Sequence, residues 1–257
     1  VNRKAIVMEA KALAAEASRL IRSYADTSFT VENKRRFDLV TDADRAAEDL
    51  IVNRLAKRFP QHGILAEEGG RMESGSDRLQ WIIDPLDGTT NFAHGFPYWS
   101  VSIAWAEEGV VEVGAVADAA GRCFWAERGH GAYLDQKPIF VSTTDSLRQS
   151  LLVTGFSYTI DEDEHTNLEA FSRLTVKTQG VRRTGSAALD LCMTAMGAFD
   201  AYWEYALNAW DMAAGSLIVE EAGGRVTKPD GSPLSLDQGA VLASNGVLHD
   251  AVINELS

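Results

Sequence analysis

Cysteine is scarce in this chain: Cys123 and Cys192 are the only two in 257 residues. That scarcity excludes a small disulfide-stapled scaffold. Neither cysteine stands at a metal-type spacing from another Cys or from a His, which excludes a thiolate–imidazole zinc centre. Both lie among apolar residues, Arg122-Cys123-Phe124-Trp125 and Leu191-Cys192-Met193, and read as buried free thiols suited to a reducing cytoplasm. Positive charge is also in short supply. Lys and Arg total 24 against 37 Asp and Glu, a net charge of −13. Nucleic acid is therefore a poor direct ligand, because a phosphate backbone asks for a basic surface. A small phosphorylated substrate stays open, since a bound metal can supply the local positive charge. No apolar run approaches the length of a membrane span. No secretory leader is expected: the start, Val1-Asn2-Arg3-Lys4, runs into an alanine-rich amphipathic stretch. Glycine-rich nucleotide loops, internal repeats and low-complexity tracts are missing as well.

What the chain has is a core. It is 46% hydrophobic and 24% charged, which suits one large globular domain over 1–257. Residues 5–24 and 43–59 carry helical stripes, the second capped by Thr41 or Asp42 and closed by Pro60. Strands are expected at Gly63–Ala66, Trp81–Ile83, Val101–Trp105, Val110–Val116, Cys123–Ala126, Ala132–Leu134, 151–154 and 240–243. Helices are expected at 165–174, 186–196, 210–222 and 248–256, with Gly223-Gly224 stopping the third. Helices and strands mix without strict βαβ alternation, which suggests layered α and β elements and not a doubly wound nucleotide fold.

The most informative segment is Trp81-Ile82-Ile83-Asp84-Pro85-Leu86-Asp87-Gly88-Thr89-Thr90-Asn91-Phe92. An apolar strand ends in Asp84, and Pro85 is expected to stop ordinary pairing and start a turn. Asp84 and Asp87 at a strand end can converge on one hard cation. Gly88-Thr89-Thr90 adds N–H groups and hydroxyls beside that charge, as a phosphate site needs. Acids recur at Asp38-Leu39-Val40-Thr41-Asp42-Ala43-Asp44, Ala66-Glu67-Glu68-Gly69, Tyr202-Trp203-Glu204-Tyr205 and Trp210-Asp211. Each has a plainer reading on its own. Asp44 and Asp211 suit helix N-termini, and Glu204 suits the outer face of a half-buried strand.

Taken together and in order, these blocks resemble the inositol monophosphatase family of magnesium-dependent, lithium-sensitive sugar phosphatases. The stretch Val181-Arg182-Arg183-Thr184-Gly185-Ser186-Ala187-Ala188-Leu189-Asp190-Leu191 is similar to its bacterial, SuhB-type members. The resemblance spans essentially the whole chain. It implies an αβαβα sandwich of the sugar-phosphatase type, a homodimer, and two or three Mg²⁺ ions. Glu67, Asp84, Asp87 and Asp211 would ligate metal, with the Leu86 carbonyl. These are hard oxygen donors suited to Mg²⁺, and none of His62, His94, His130, His165 or His249 is needed. Asp44 and Thr89 would orient and activate a water, with Glu67 assisting. Gly88 and Thr89 would hold phosphate through backbone N–H groups. Asp87, Gly185, Ser186, Ala187, Glu204 and Asp211 would face the substrate, and Lys34 matches a lysine of a metal-site loop.

The resemblance also bears on substrate. Thr90-Asn91-Phe92 after Asp-Gly-Thr favours myo-inositol monophosphate. Histidinol phosphate, fructose 1,6-bisphosphate and adenosine 3′,5′-bisphosphate are the alternatives. Some bacterial relatives act as regulatory partners of transcription or RNA-processing machinery. Arg182-Arg183 and the basic run 34–36 are where such a surface would lie, a subunit interface being the plainer use.

Overall fold

The computed structural model describes residues 2–25, 30–33, 39–72, 76–158, 160 and 166–257. Lys34, the basic run 34–36, Asp38 and His165 lie outside the described residues. In chain order the elements begin with α1 (Arg3–Ala25), β1 (Val31–Asn33), β2 (Leu39–Thr41), α2 (Asp42–Arg58), β3 (His62–Ala66), β4 (Gly70–Met72) and β5 (Ser76–Asp87). They continue with α3 (Thr89–Ala93), β6 (Ser100–Glu107), β7 (Val110–Asp118), β8 (Cys123–Glu127), β9 (Ala132–Leu134), β10 (Lys137–Pro138) and β11 (Leu151–Thr154). The last are α4 (Leu168–Thr175), β12 (Gly180–Arg182), α5 (Ala187–Ala195), β13 (Ala201–Tyr205), α6 (Ala209–Glu221), β14 (Arg225–Thr227), β15 (Ala240–Ser244) and α7 (His249–Leu256). Every helix and strand expected from the sequence is present, within three residues of its expected ends except β5, which runs past the expected Trp81–Ile83 at both ends. The short strands β1, β2, β4, β10, β12 and β14 were not expected; at two or three residues each they carry too little alternation to be seen.

Among the described residues, an eight-stranded sheet runs β10-β9-β8-β7-β6-β5-β3-β4, and a five-stranded sheet runs β12-β11-β13-β15-β14. Alternation along β5 sets the layers. Trp81 and Ile83 pack with α1 and α2 on one face. Ile82 packs on the other, against α5 and α6. Those two helices also bury Val153, Tyr202 and Val241 of the smaller sheet. The far side of that sheet is closed by Leu174 of α4 and Val252 of α7. The result is the αβαβα sandwich that the resemblance implied. Cys123 and Cys192 are free and buried. No helix among the described residues is long and apolar enough to cross a membrane.

Candidate active site

Pro85 does not end β5. The strand runs on to Asp87, with a shift of register between Asp84 and Asp87. This corrects the expectation of a turn, and the physical reason matters for chemistry. In a regular strand, residues three apart point to opposite faces. Here Asp84 pairs with Ser102 and Asp87 with Ser100, two residues apart on β6, so the bulge brings both acids to one face. It is the face of Ile82, toward α5 and α6. Glu67, just past the end of β3, shares the parity of Leu65, which packs toward the same helices. Proline suits such a place because the bulge spares it a ladder hydrogen bond.

From the other side, α6 begins with Asn208 as N-cap and carries Asp211 in its first turn. The Asn208 backbone N–H donates to Asp211 Oδ2 at 2.6 Å. The expected capping role of Asp211 is thus real, and its location serves the site as well. Glu67, Asp84, Leu86, Asp87, Gly88, Thr89 and Asp211 line one cavity of about 150 Å³. Gly185, Ser186, Ala187 and Glu204 complete it from the smaller sheet's side.

Asp87 joins the two halves. Its carboxylate accepts from the Ser186 hydroxyl, from Ala187 N at 3.2 Å and from Ala188 N at 2.9 Å, which places it at the N-terminus of α5. Ser100 Oγ adds a bond at 3.3 Å. Asp84 Oδ1 accepts from Leu86 N at 2.9 Å, which holds the bulge. Burial pushes the Asp84 carboxyl well above the usual carboxylate range, and the neighbouring Glu67, Asp87 and Asp211 push it further. Asp211 is raised for the same first cause, burial. In Asp87 burial also raises the carboxyl, while the α5 donors pull it back.

Asp44 stands behind this row and is fully buried. Thr41 is the cap of α2, and Asp44 is the third residue of its capping box. Asp44 Oδ2 accepts from the Thr41 backbone N–H at 2.8 Å and from the Thr41 hydroxyl. Its other oxygen, Oδ1, meets Thr89 Oγ1 at 3.0 Å. Burial raises the Asp44 carboxyl against the lowering effect of those hydroxyl and amide donors. Thr89 Oγ1 also lies 2.9 Å from the Leu86 carbonyl. A hydroxyl has one proton, so it donates to Asp44 or to Leu86 in turn. Gly88 holds φ at 90°, and a Cβ there would meet the Tyr98 carbonyl at 3.0 Å and the Gly185 carbonyl at 3.2 Å. Glycine is therefore required twice over at this corner.

On the opposite wall, Glu204 is not the outward-facing strand residue of its plainer reading. It is half-buried and lines the cavity. Tyr202 Oη donates to Glu204 Oε2 at 2.6 Å. Burial lifts the Glu204 carboxyl to about 7, and Asp87 contributes in the same direction. Sequence reasoning also missed Gly155, Phe156 and Arg183 on the rim. It missed the lock between α3 and the 184–188 turn too: Asn91 Nδ2 donates to the Tyr98 carbonyl at 2.7 Å and to the Thr184 carbonyl at 2.8 Å. Beneath that lock, buried Asp190 accepts from Tyr98 Oη at 2.8 Å and from the Thr184 hydroxyl. The one available signal was the Thr184-Gly185-Ser186 turn just before an apolar helix.

The histidines among the described residues stay out of the cavity lining. His62 is buried and accepts from Trp105 Nε1 at 3.2 Å. His249 bridges the Thr227 and Ser244 hydroxyls, and burial lowers it to about 4. His94 is exposed beside the end of α3.

The donor set fits a hard divalent cation. It is all oxygen, and burying mutually repelling carboxylates is costly without a counter-charge. As the side chains stand, no three Asp, Glu, His or Cys among the described residues are arranged to chelate an ion. Asp84, Asp87 and Asp211 each keep at least one oxygen on a protein donor.

A layered α/β sandwich with an acidic cleft between its sheets is the architecture of a known group of phosphatases. The solved structure of inositol monophosphatase from Anabaena (Nostoc) superposes with a TM-score of 0.91 at 41% identity, covering 100% of this chain and 96% of that one. The model of the inositol monophosphatase family matches residues 3–257, and the chain belongs to that family. It is thereby an enzyme of the phosphoric monoester hydrolase class, in a family that uses divalent metal ions. An inositol-1-monophosphatase of Synechocystis is 48% identical over 227 residues, 88% of this chain and 79% of the relative. The Nus factor SuhB of Pseudomonas aeruginosa is 44% identical over 233 residues, 88% and 86% of the two chains. The chain spans a smaller share, 61%, of a chloroplastic phosphatase of Arabidopsis thaliana that it matches at 46% identity.

Proposed function

We propose that this chain is a Mg²⁺-dependent, Li⁺-sensitive phosphomonoesterase that converts myo-inositol monophosphate to inositol and phosphate. The observation that carries the reading is the cavity with an acidic end and a separate hydrogen-bond acceptor. Glu67, Asp84, Asp87 and Asp211 stand together at one end, and Glu204 faces them from the other sheet. A phosphate with its cations suits the first, and a polyol suits the second.

Glu67, Asp84, Asp87, Asp211 and the Leu86 carbonyl would hold the ions. When bound, such ions supply Lewis-acid charge at the phosphoryl oxygens and acidify water. The protein's own part follows from its hydrogen bonds. Thr89 Oγ1 passes its proton to Asp44 Oδ1 as it takes one from the attacking water. A buried Asp44 with a raised carboxyl is a stronger base than a solvated one. The water oxygen then attacks phosphorus in line, the ester P–O bond breaks, and the alcohol leaves with a proton from solvent. Gly88 and Thr89 N–H groups hold phosphate oxygens. Asp87, anchored on Ser186, Ala187 and Ala188, fixes the polyol wall, and Glu204 accepts from substrate hydroxyls.

We take 1–257 as one domain, because α5 and α6 bury side chains of both sheets. We take the enzyme as a cytoplasmic homodimer. The two buried free thiols support a reducing compartment. Exposed Phe96, Tyr158 and Leu168, at 52%, 47% and 52%, support a subunit contact.

The test is phosphate release from inositol 1-phosphate, glycerol 2-phosphate, histidinol phosphate, fructose 1,6-bisphosphate and adenosine 3′,5′-bisphosphate, with Mg²⁺ or with EDTA. Inositol 1-phosphate should lead the panel, activity should vanish in EDTA, and millimolar Li⁺ should inhibit. Full turnover in EDTA would defeat the metal reading, and a different leading ester would reassign the substrate. A second reading draws on the relatives named Nus factor SuhB and on Arg182 and Arg183, both exposed. In it, the same chain binds a transcription or RNA-processing partner. A pull-down that fails equally for wild type and Arg182→Glu/Arg183→Glu would remove it.

A further inference from the structure

Gly155 follows β11 directly, and its φ lies outside the left-handed region, so the backbone there does not call for glycine. Space does. A Cβ on residue 155 would collide with both carboxylate oxygens of Glu204 and with its Cδ. The glycine cannot step aside. Its carbonyl accepts from Asn167 Nδ2 at 2.8 Å. Asn167 is itself buried, with Nδ2 also 2.6 Å from Thr154 Oγ1 and Oδ1 accepting from Trp203 Nε1 at 2.5 Å. Thr154 Oγ1 lies 2.5 Å from the Trp203 carbonyl, which ties this corner to β13 at the residue just before Glu204. These bonds pin the corner, so a Cβ there would have to displace the carboxylate end of Glu204. Its second restraint is the fully buried Tyr202, which engages Oε2 and so leaves Oε1 the freer acceptor.

We propose that Gly155 and Tyr202 are the specificity-determining pair of this enzyme: one vacates, and the other fixes, the place where the Glu204 carboxylate meets the hydroxyls of a polyol phosphate. Both act through Glu204 and are positioning residues. The inference rests on the reading of Glu204 as the polyol acceptor.

The experiment is a pair of double-mutant cycles, Gly155→Ala and Tyr202→Phe, each in wild-type and Glu204→Ala backgrounds. Each protein is assayed on inositol 1-phosphate and on p-nitrophenyl phosphate, and its Tm is recorded. Gly155→Ala should raise KM for inositol 1-phosphate about tenfold or more, the scale of a lost charge-assisted hydrogen bond, with kcat nearly unchanged. Tyr202→Phe should act in the same direction and less. On p-nitrophenyl phosphate both should stay within about threefold, since no polyol hydroxyl is involved. In the Glu204→Ala background neither change should matter further, and Gly155→Ala should no longer lower Tm. Equal losses on both substrates, or losses that persist without the Glu204 carboxylate, would overturn the proposal. Should Glu204→Ala itself leave inositol 1-phosphate unaffected, the polyol reading and the specificity role fall together. Tm values that still couple would then confine Gly155 to packing. Should Glu204→Ala be selective while the cycles show no coupling, only the assignment to Gly155 and Tyr202 falls.

Discussion

Asp44 closes the α2 capping box with one carboxylate oxygen and meets Thr89 with the other. Asp44→Asn keeps the shape and loses the base, so kcat should fall by roughly 10²-fold or more with little change in fold. Thr89→Ala should be impaired alike, and Thr89→Ser should keep measurable turnover. Near wild-type turnover in Thr89→Ala, read by steady-state kinetics, would remove the water-activation role. Glu204 yields a pH prediction. Its folded carboxyl is raised from 4.5 to about 7, first by burial. Between those values the folded state keeps a proton that the unfolded state has lost, so stability falls as pH rises through the window. Glu204→Gln, which carries no charge to bury, should gain Tm relative to wild type as pH goes from about 5 to about 8. Differential scanning fluorimetry reads this directly, and a difference that stays flat with pH would contradict it.

At the scale of elements, the site is a set of strand and helix ends brought into register. β5 supplies two acids on one face only because it bulges at Pro85 and Leu86. α3 follows after a single glycine, wedged between the Tyr98 and Gly185 carbonyls. Gly88→Ala should therefore cost more than about 1 kcal/mol in urea unfolding, since both the positive φ and the crowding oppose a Cβ. Activity should fall with it, because the N–H groups of residues 88 and 89 would turn away from phosphate. Unchanged stability would mean that the corner can open elsewhere. The α5 N-terminus offers the contrasting case. Its donors are engaged by Asp87, so that helix end works as a clamp between the sheets.

For the whole molecule, the cleft lies between two sheets that share α5 and α6, and its parts come from two stretches far apart in the chain, 67–89 and 155–211. Exposed apolar side chains, Phe96, Tyr158 and Leu168 among them, are where the proposed second copy is expected to dock. Light scattering at micromolar concentration should give a mass near twice 28.0 kDa. Leu168→Asp with Phe96→Asp should shift it toward one. A monomeric wild type would remove the dimer from the reading, while the cleft, which one chain builds by itself, would be untouched.

The residue order alone determined the helices and the longer strands, because apolar periodicity over four or more residues reports which face is buried. It also determined the acidic character of the site, since Glu67, Asp84, Asp87 and Asp211 stand at the edges of apolar runs where chain ends emerge from a core. Most of the two- and three-residue strands escaped, since so short a stretch hardly repeats the two-residue alternation; β9 is the exception. Only the tertiary structure decided three things. It decided that Pro85 rides in a bulge and not a turn, because that depends on pairing with β6. It decided that Glu204 faces the cleft, because strand alternation leaves the choice of face to whatever packs on each side. And it decided why residue 155 is glycine: the group that claims its space comes from a strand some fifty positions later, at Glu204, and no local pattern records a collision between residues so far apart in sequence.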